Sequence, residues 1–147
     1  MTQPVDRHPY LAFLSRMRPE TVGELAQYCE PQVHFRDPFH DVSGVDRYIA
    51  ICAAMFEAMH VDAFEIGAVH SASPCTFEWT LRYRFRSRVL PPAPAAFVGA
   101  SVVRFSESGR VASHADYWDA SALLARMPLV GPVVRSVRTR VANTAKA

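Results

Sequence analysis

The sequence predicts an α+β domain in which a curved antiparallel sheet wraps around N-terminal helices and leaves a conical apolar pocket. Three observations predict it. Apolar residues recur at helical spacing through the first part of the chain, most clearly across residues 44–59. In residues 76–88, Phe77, Trp79, Leu81, Tyr83 and Phe85 alternate with Glu78, Thr80, Arg82, Arg84 and Arg86. That is the period of a half-buried strand. Ser108-Gly109 then joins two further strand-like runs and reads as a hairpin turn.

Pro9 suits a first helical turn, and Tyr10, Leu11, Phe13, Leu14 and Met17 follow at helical spacing. Pro19 can open a second helix. Thr21 and Glu24 have the spacing of a capping box, Val22, Leu25 and Tyr28 fill one face, and Pro31 ends the helix. Residues 33–36 read as a short extended segment running into Asp37-Pro38, because a residue before proline leans to extended geometry. Ser43 reads as the N-cap of the long helix, with Asp46 three residues on and a wide stripe of Val45, Tyr48, Ile49, Cys52, Met55, Phe56 and Met59. Strands are expected at 61–69, 76–88, 97–105 and 110–118, with Pro91, Pro92 and Pro94 breaking the chain between the second and third. Asp119 should cap a helix that runs through Met127 to Pro128, and a last helix spans about residues 132–141.

Composition excludes several classes. At 147 residues, half of them hydrophobic, the chain suffices for a single domain over 1–147, with 132–147 as an amphipathic helix and tail. A formal net charge of +2 gives no reason to invoke nucleic acid. The start, MTQPVDRHPY, has no signal-peptide core, and no apolar run has the length of a membrane span. Cys29, Cys52 and Cys75 are odd in number and widely spaced, so a reduced, cytoplasmic protein with buried thiols is expected.

The chemistry-bearing residues concentrate near the hairpin. His114, Asp116 and Trp118 occupy alternate positions of one strand and share a face. With Trp79, Leu81 and Tyr83 of the 76–88 strand they outline an apolar cavity holding a few polar groups, the usual form of a small-molecule site. Other readings stand beside this one. Asp37 suits a turn before Pro38 as well as a pocket role. His114 and Asp116 suit a structural pair, and the tryptophans suit core filling. The set His34, Asp37, His40 and Asp41 lacks the spacing of familiar zinc sites, so no metal is expected. The ladder Arg82, Arg84, Arg86 and Arg88 reads as a solvated or ion-paired outer sheet face.

The segments FRDP, VVRFSESGRV and HADYWD followed by LLARMPLVG resemble the nuclear-transport-factor-2-like superfamily, in particular its SnoaL-like branch. The likeness extends over roughly residues 8–131. It implies the cystatin-like conical fold and a homodimer formed through the sheet. Ketosteroid isomerase, limonene epoxide hydrolase and polyketide cyclases are relatives. The resemblance to the isomerase gives Asp37 the place of the general base, Ser101 the place of an oxyanion donor, and Tyr10 that of the helix-one tyrosine. The resemblance to the hydrolase gives Asp116 the place of its catalytic aspartate. The arginine and second aspartate of that pattern fall at Trp79 and Leu81, which argues against opening an epoxide. Cyclases of the SnoaL type use one acid–base aspartate, a role that Asp116 matches with His114 beside it.

The candidate catalytic residues are therefore Asp37, His114 and Asp116. The candidate ligand-binding residues are Tyr10, Trp79, Leu81, Tyr83, Ser101 and Trp118. The expected ligand is a small hydrophobic molecule, with no cofactor, nucleic acid or membrane involved. Two functions fit: a cofactor-independent isomerase or cyclase, or a non-catalytic ligand-binding or assembly module.

Overall fold

The computed structural model describes residues 8–90 and 93–146. Proline at the start of helix α1 (Pro9–Arg16) loses no hydrogen bond, and the helical spacing buries Tyr10, Leu11, Phe13 and Leu14. The expected second helix is shorter: a 3-10 turn (Val22–Glu24) leads into the single turn of α2 (Leu25–Tyr28). Thr21 makes no side-chain cap there, because its hydroxyl accepts the Arg18 N–H at 3.0 Å and closes the preceding turn.

Pro31 does not end that helix. It lies inside strand β1 (Cys29–Arg36), between Cys29 and His34, where the register with the neighbouring strand shifts. A proline is tolerated at such an irregularity because no ladder hydrogen bond needs its missing N–H. Ser43 likewise ends strand β2 (Asp41–Ser43) instead of capping. Gly44 takes the N-cap position of α3 (Val45–Ala58), at a φ of 112° that suits glycine. Helix α3 buries Tyr48, Cys52 and Phe56, one turn apart in succession.

Strands β3 (Met59–Ala72), β4 (Cys75–Phe85), β5 (Ala95–Phe105) and β6 (Val111–Trp118) pair antiparallel in sequence order. The curved, unclosed sheet has six strands in the order β2-β1-β6-β5-β4-β3. The all-antiparallel expectation needs one correction, because β1 runs parallel to β6. A hairpin forces opposed strands, whereas β1 reaches β6 only after α3 and the whole meander, which leaves its direction free. The expected break at Pro91 and Pro92 lies outside the described residues, and Pro94 stands immediately before β5.

The strong alternation of β4 divides the sheet into two faces. Phe77, Trp79, Leu81 and Tyr83 are buried against the helices. On the outer face Arg82 pairs with Glu65 at 3.2 Å, Arg84 with Asp62 at 2.7 Å, and His70 with Glu78 at 2.8 Å. Much of the arginine ladder is thus answered by acids of β3, in exposed pairs of small individual worth.

Asp119 caps α4 (Ala120–Leu124) by accepting the Ser121 N–H at 3.0 Å. This helix ends before Met127, which belongs to the turn that follows. The basic α5 (Gly131–Asn143) closes with a 3-10 turn (Thr144–Lys146). It is tied down by its arginines: Arg138 meets Asp119 at 2.6 Å and Arg135 donates to the Ala125 carbonyl. Val133, Val137 and Val141 remain exposed. Among the described residues no helix is long and apolar enough to cross a membrane.

Gly99 of β5 stands in register between Trp79 and Trp118. The Trp79 indole lies across it so closely that an alanine Cβ would overlap the ring. Gly99→Ala is therefore expected to cost about 1–3 kcal/mol through displacement of Trp79. A lowered urea midpoint would show this, and an unchanged midpoint would contradict the packing described.

Candidate active site

A cavity of about 350 Å³ lies between α3 and the inner face of the sheet. Helix α3 gives it Ile51, Cys52 and Met55, because the apolar stripe is wider than its tightly packed centre. The opposite wall is aromatic and continuous. Phe97 stacks on Trp118 with centroids 4.7 Å apart, and Phe39 meets the far side of that pair edge-on at 5.7 Å. Trp79 lies 5.9 Å from Phe97 and 5.4 Å from Phe64.

Polar groups enter from β6 and from the end of β1. Asp116 and His114 are two residues apart on the inner face, and His114 Nε2 lies 2.7 Å from Asp116 Oδ1. The Ser101 hydroxyl, opposite Asp116 on β5, donates to the same oxygen at 2.5 Å, and the Trp79 indole N–H donates to Ser101 Oγ at 2.8 Å. On the other side Tyr10 Oη lies 2.7 Å from His114 Nδ1 and 3.0 Å from Tyr48 Oη. The result is one buried chain, Tyr48–Tyr10–His114–Asp116–Ser101–Trp79. Oδ2 of Asp116 takes no hydrogen bond from the described residues, and Asp116 lines the cavity.

Proton positions in this chain follow from satisfaction of buried donors. If Tyr48 donates to Tyr10 and Tyr10 donates to His114 Nδ1, every phenolic proton has an acceptor. His114 is then neutral, with its proton on Nε2 pointing at Asp116. Reversing the chain would strand the Tyr48 proton. Burial pushes both phenols well above the ordinary tyrosine value, so both remain donors.

Asp37 arrives by register. Phe35 pairs with His114 and Arg36, the last residue of β1, with Ala115, so Asp37 leaves the strand next to the Asp116 end of β6. Asp37 Oδ1 accepts the N–H of Phe39 at 2.8 Å and of His40 at 2.7 Å, and the His40 ring lies 2.9 Å away. It both closes the turn after Pro38 and lines the cavity. His34 instead pairs with Asp41 at 2.6 Å, so the histidines and aspartates of this segment do not converge. Among the described residues no group of three or more His, Cys, Asp or Glu is placed to hold a metal ion.

Of the residues singled out in the sequence, Asp37, His114, Asp116, Trp79, Leu81 and Trp118 line the cavity. Tyr10, Ser101 and Tyr83 do not. Ser101 is 1% exposed and spends its proton on Asp116, and Tyr10 is buried behind His114. Neither side chain is among those lining the cavity. Tyr83 packs against Phe85 and Phe97, with Arg126 over its ring at 5.8 Å. Sequence reasoning did not single out Tyr48, because its spacing with Cys52 and Phe56 reads as an ordinary core stripe. Phe39 follows the FRDP segment outside any periodic pattern, and His40 stands out in the sequence only as a metal-ligand candidate.

The family model of the SnoaL-like domain matches residues 10–114. Comparison with the curated proteins gives no match. Several solved structures share the fold. A candidate isomerase from Rhodopseudomonas palustris is 13% identical at a TM-score of 0.63, covering 81% of this chain and 92% of its own. A candidate polyketide cyclase from a Silicibacter species is 18% identical at 0.61, covering 84% and 92%. An LEH-like epoxide hydrolase from M. tuberculosis is 18% identical at 0.62, covering 93% and 98%.

The buried acids predict a pH dependence. Burial pushes the Cys29 thiol up to about 12 from an ordinary 9.0. It raises Cys52 too, with further contributions from Asp116, Cys29 and Asp37. The unfolded chain releases these protons first, so stability is full below the ordinary thiol value and declines as the pH rises beyond it. Urea midpoints should fall steadily above about pH 9, and midpoints that stay level there would contradict the burial of these groups.

Proposed function

The chain belongs to the SnoaL-like family, and from that premise we propose that it binds a small apolar molecule in its cavity and moves a proton on it, without a cofactor, through Asp116 and His114. One observation carries this reading: a carboxylate in an apolar cavity has one oxygen fixed by two donors and the other left open. A base must be aimed and must keep a lone pair available, and Asp116 meets both conditions.

On a substrate with an acidic C–H next to a carbonyl, Oδ2 of Asp116 takes the proton and the C–H electron pair passes into the enolate. Return of that proton to another carbon completes an isomerisation. Attack of the enolate carbon on a second carbonyl completes a cyclisation, with the proton delivered to the new alkoxide. Ser101 and Tyr10 act here as positioning residues, since they hold Asp116 and His114 and not the substrate. The fold likeness to a candidate isomerase and a candidate polyketide cyclase is consistent with this chemistry. Epoxide opening is disfavoured, because the matching charged positions are Trp79 and Leu81, both in the cavity wall. A homodimer through the sheet belongs to the same proposal, with Val98 of β5 and Tyr117 of β6 exposed on the outer face.

A second reading, binding without chemistry, is supported by one observation: the Ser101 and Tyr10 hydroxyls are directed at Asp116 and His114, and neither residue lines the cavity. The chain's two tryptophans both line the cavity, so intrinsic fluorescence reports occupancy directly. With 2-tetralone in heavy water, the protein should accelerate exchange of the α-protons, and Asp116→Asn should lose about 100-fold or more of that rate. Fluorescence quenching by the ketone without any accelerated exchange would favour the binding reading.

A further inference from the structure

The cavity is acidic as well as apolar. Asp37, one residue beyond the end of β1, and Asp116 of β6 line the same space. Among the described residues no lysine or arginine lines it. His114 offers Asp116 only a neutral N–H, because its Nδ1 is needed as the acceptor for Tyr10. His40 also lines the cavity and lies 2.9 Å from Asp37 Oδ1, but its ring is 42% exposed and open to solvent. Two carboxylates in a largely apolar site therefore lack a lysine or arginine partner among the described lining residues, an arrangement that carries a desolvation and repulsion cost. The wall facing them is a run of aromatic rings whose π-faces attract positive charge.

We infer that the molecule this cavity takes carries a protonated nitrogen, seated against Asp37 beside Asp116, with its apolar body along the Trp118–Phe97–Trp79 wall. The inference rests on the reading that the cavity binds a small apolar molecule, and it narrows that class. An ammonium supplies the missing countercharge and satisfies carboxylate oxygens with N–H donors. A carboxylate or phosphate ligand would add a third negative charge to a site with no lysine or arginine among its described lining residues. Asp37 has the better claim to the nitrogen, since the turn that it closes holds its carboxylate fixed while Oδ2 of Asp116 remains free for proton transfer.

Three probes of one shape separate the possibilities: 3-phenylpropylamine, 3-phenylpropan-1-ol and 3-phenylpropanoate, each titrated at neutral pH against tryptophan fluorescence and checked by calorimetry. The amine is protonated and the acid ionised under these conditions. The amine should bind at least about tenfold more tightly than the alcohol, and the carboxylate should show no saturable binding. Asp37→Asn keeps an oxygen for the Phe39 and His40 N–H groups, so the turn survives. It should bring the amine down to the affinity of the alcohol and leave the alcohol unchanged.

An alcohol or carboxylate that binds as well as the amine would overturn the inference while leaving the apolar-ligand reading intact. An amine preference that persists in Asp37→Asn would overturn the assigned seat. Failure of all three probes to bind would count against the apolar-ligand reading itself, and the inference would fall with it.

Discussion

A carboxylate placed inside an apolar cavity is the constraint on which this structure turns. Removing such a group from water costs several kcal/mol unless hydrogen bonds replace the lost hydration. Asp116 is held from two directions. Ser101 reaches it across the β5–β6 ladder, itself fixed by the Trp79 indole from β4. His114 reaches it along β6, fixed by Tyr10 from α1, with Tyr48 of α3 behind. Five elements thus converge on one oxygen atom. The chain of donors explains why the first helix, far away in sequence, packs where it does: its tyrosine satisfies the histidine that satisfies the aspartate.

The same geometry keeps chemistry and support apart. Ser101 and Tyr10, which hold Asp116 and His114, lie behind the cavity wall, and what the cavity meets is mainly aromatic and aliphatic surface with two carboxylates. Gly99 belongs to this arrangement, because only a residue without a side chain lets Trp79 lie flat enough for its N–H to find Ser101. The outer sheet face follows another logic, with solvated arginines and acids paired across β3 and β4. The family match and the solved structures of similar fold agree with the α+β architecture.

Much of this was legible in the sequence wherever a short-range rule applied. Alternation marked β4 and its inward residues, the Ser108-Gly109 turn marked the hairpin, and Asp119 marked a helix start. Misreadings arose where a longer-range contact overrode a local signal. Pro31 looked like a helix stop, yet a register shift in β1 accommodates it. Ser43 looked like a cap, yet β1–β2 pairing claimed it. The site was half legible: His114, Asp116 and Trp118 follow from strand period alone. The roles of Ser101 and Tyr10 did not, because both lie within reach of a ligand by strand or helix position and only side-chain direction decides whom they serve. Tyr48 was hidden in a helical stripe indistinguishable from core.

The central claim is the direction of the hydrogen-bond chain through His114. Nitrogen NMR of the ring in 15N-histidine-labelled protein at neutral pH tests it most directly, with His114→Gln supplying the assignment. The account predicts a neutral His114 ring, protonated at Nε2, with Nδ1 showing the shift of an unprotonated nitrogen that accepts a hydrogen bond. Replacing Tyr10 with phenylalanine should move the Nδ1 signal. A ring protonated at both nitrogens, or at Nδ1 alone, would contradict the chain of donors and with it the reading of Asp116 as an aimed base without a cation beside it.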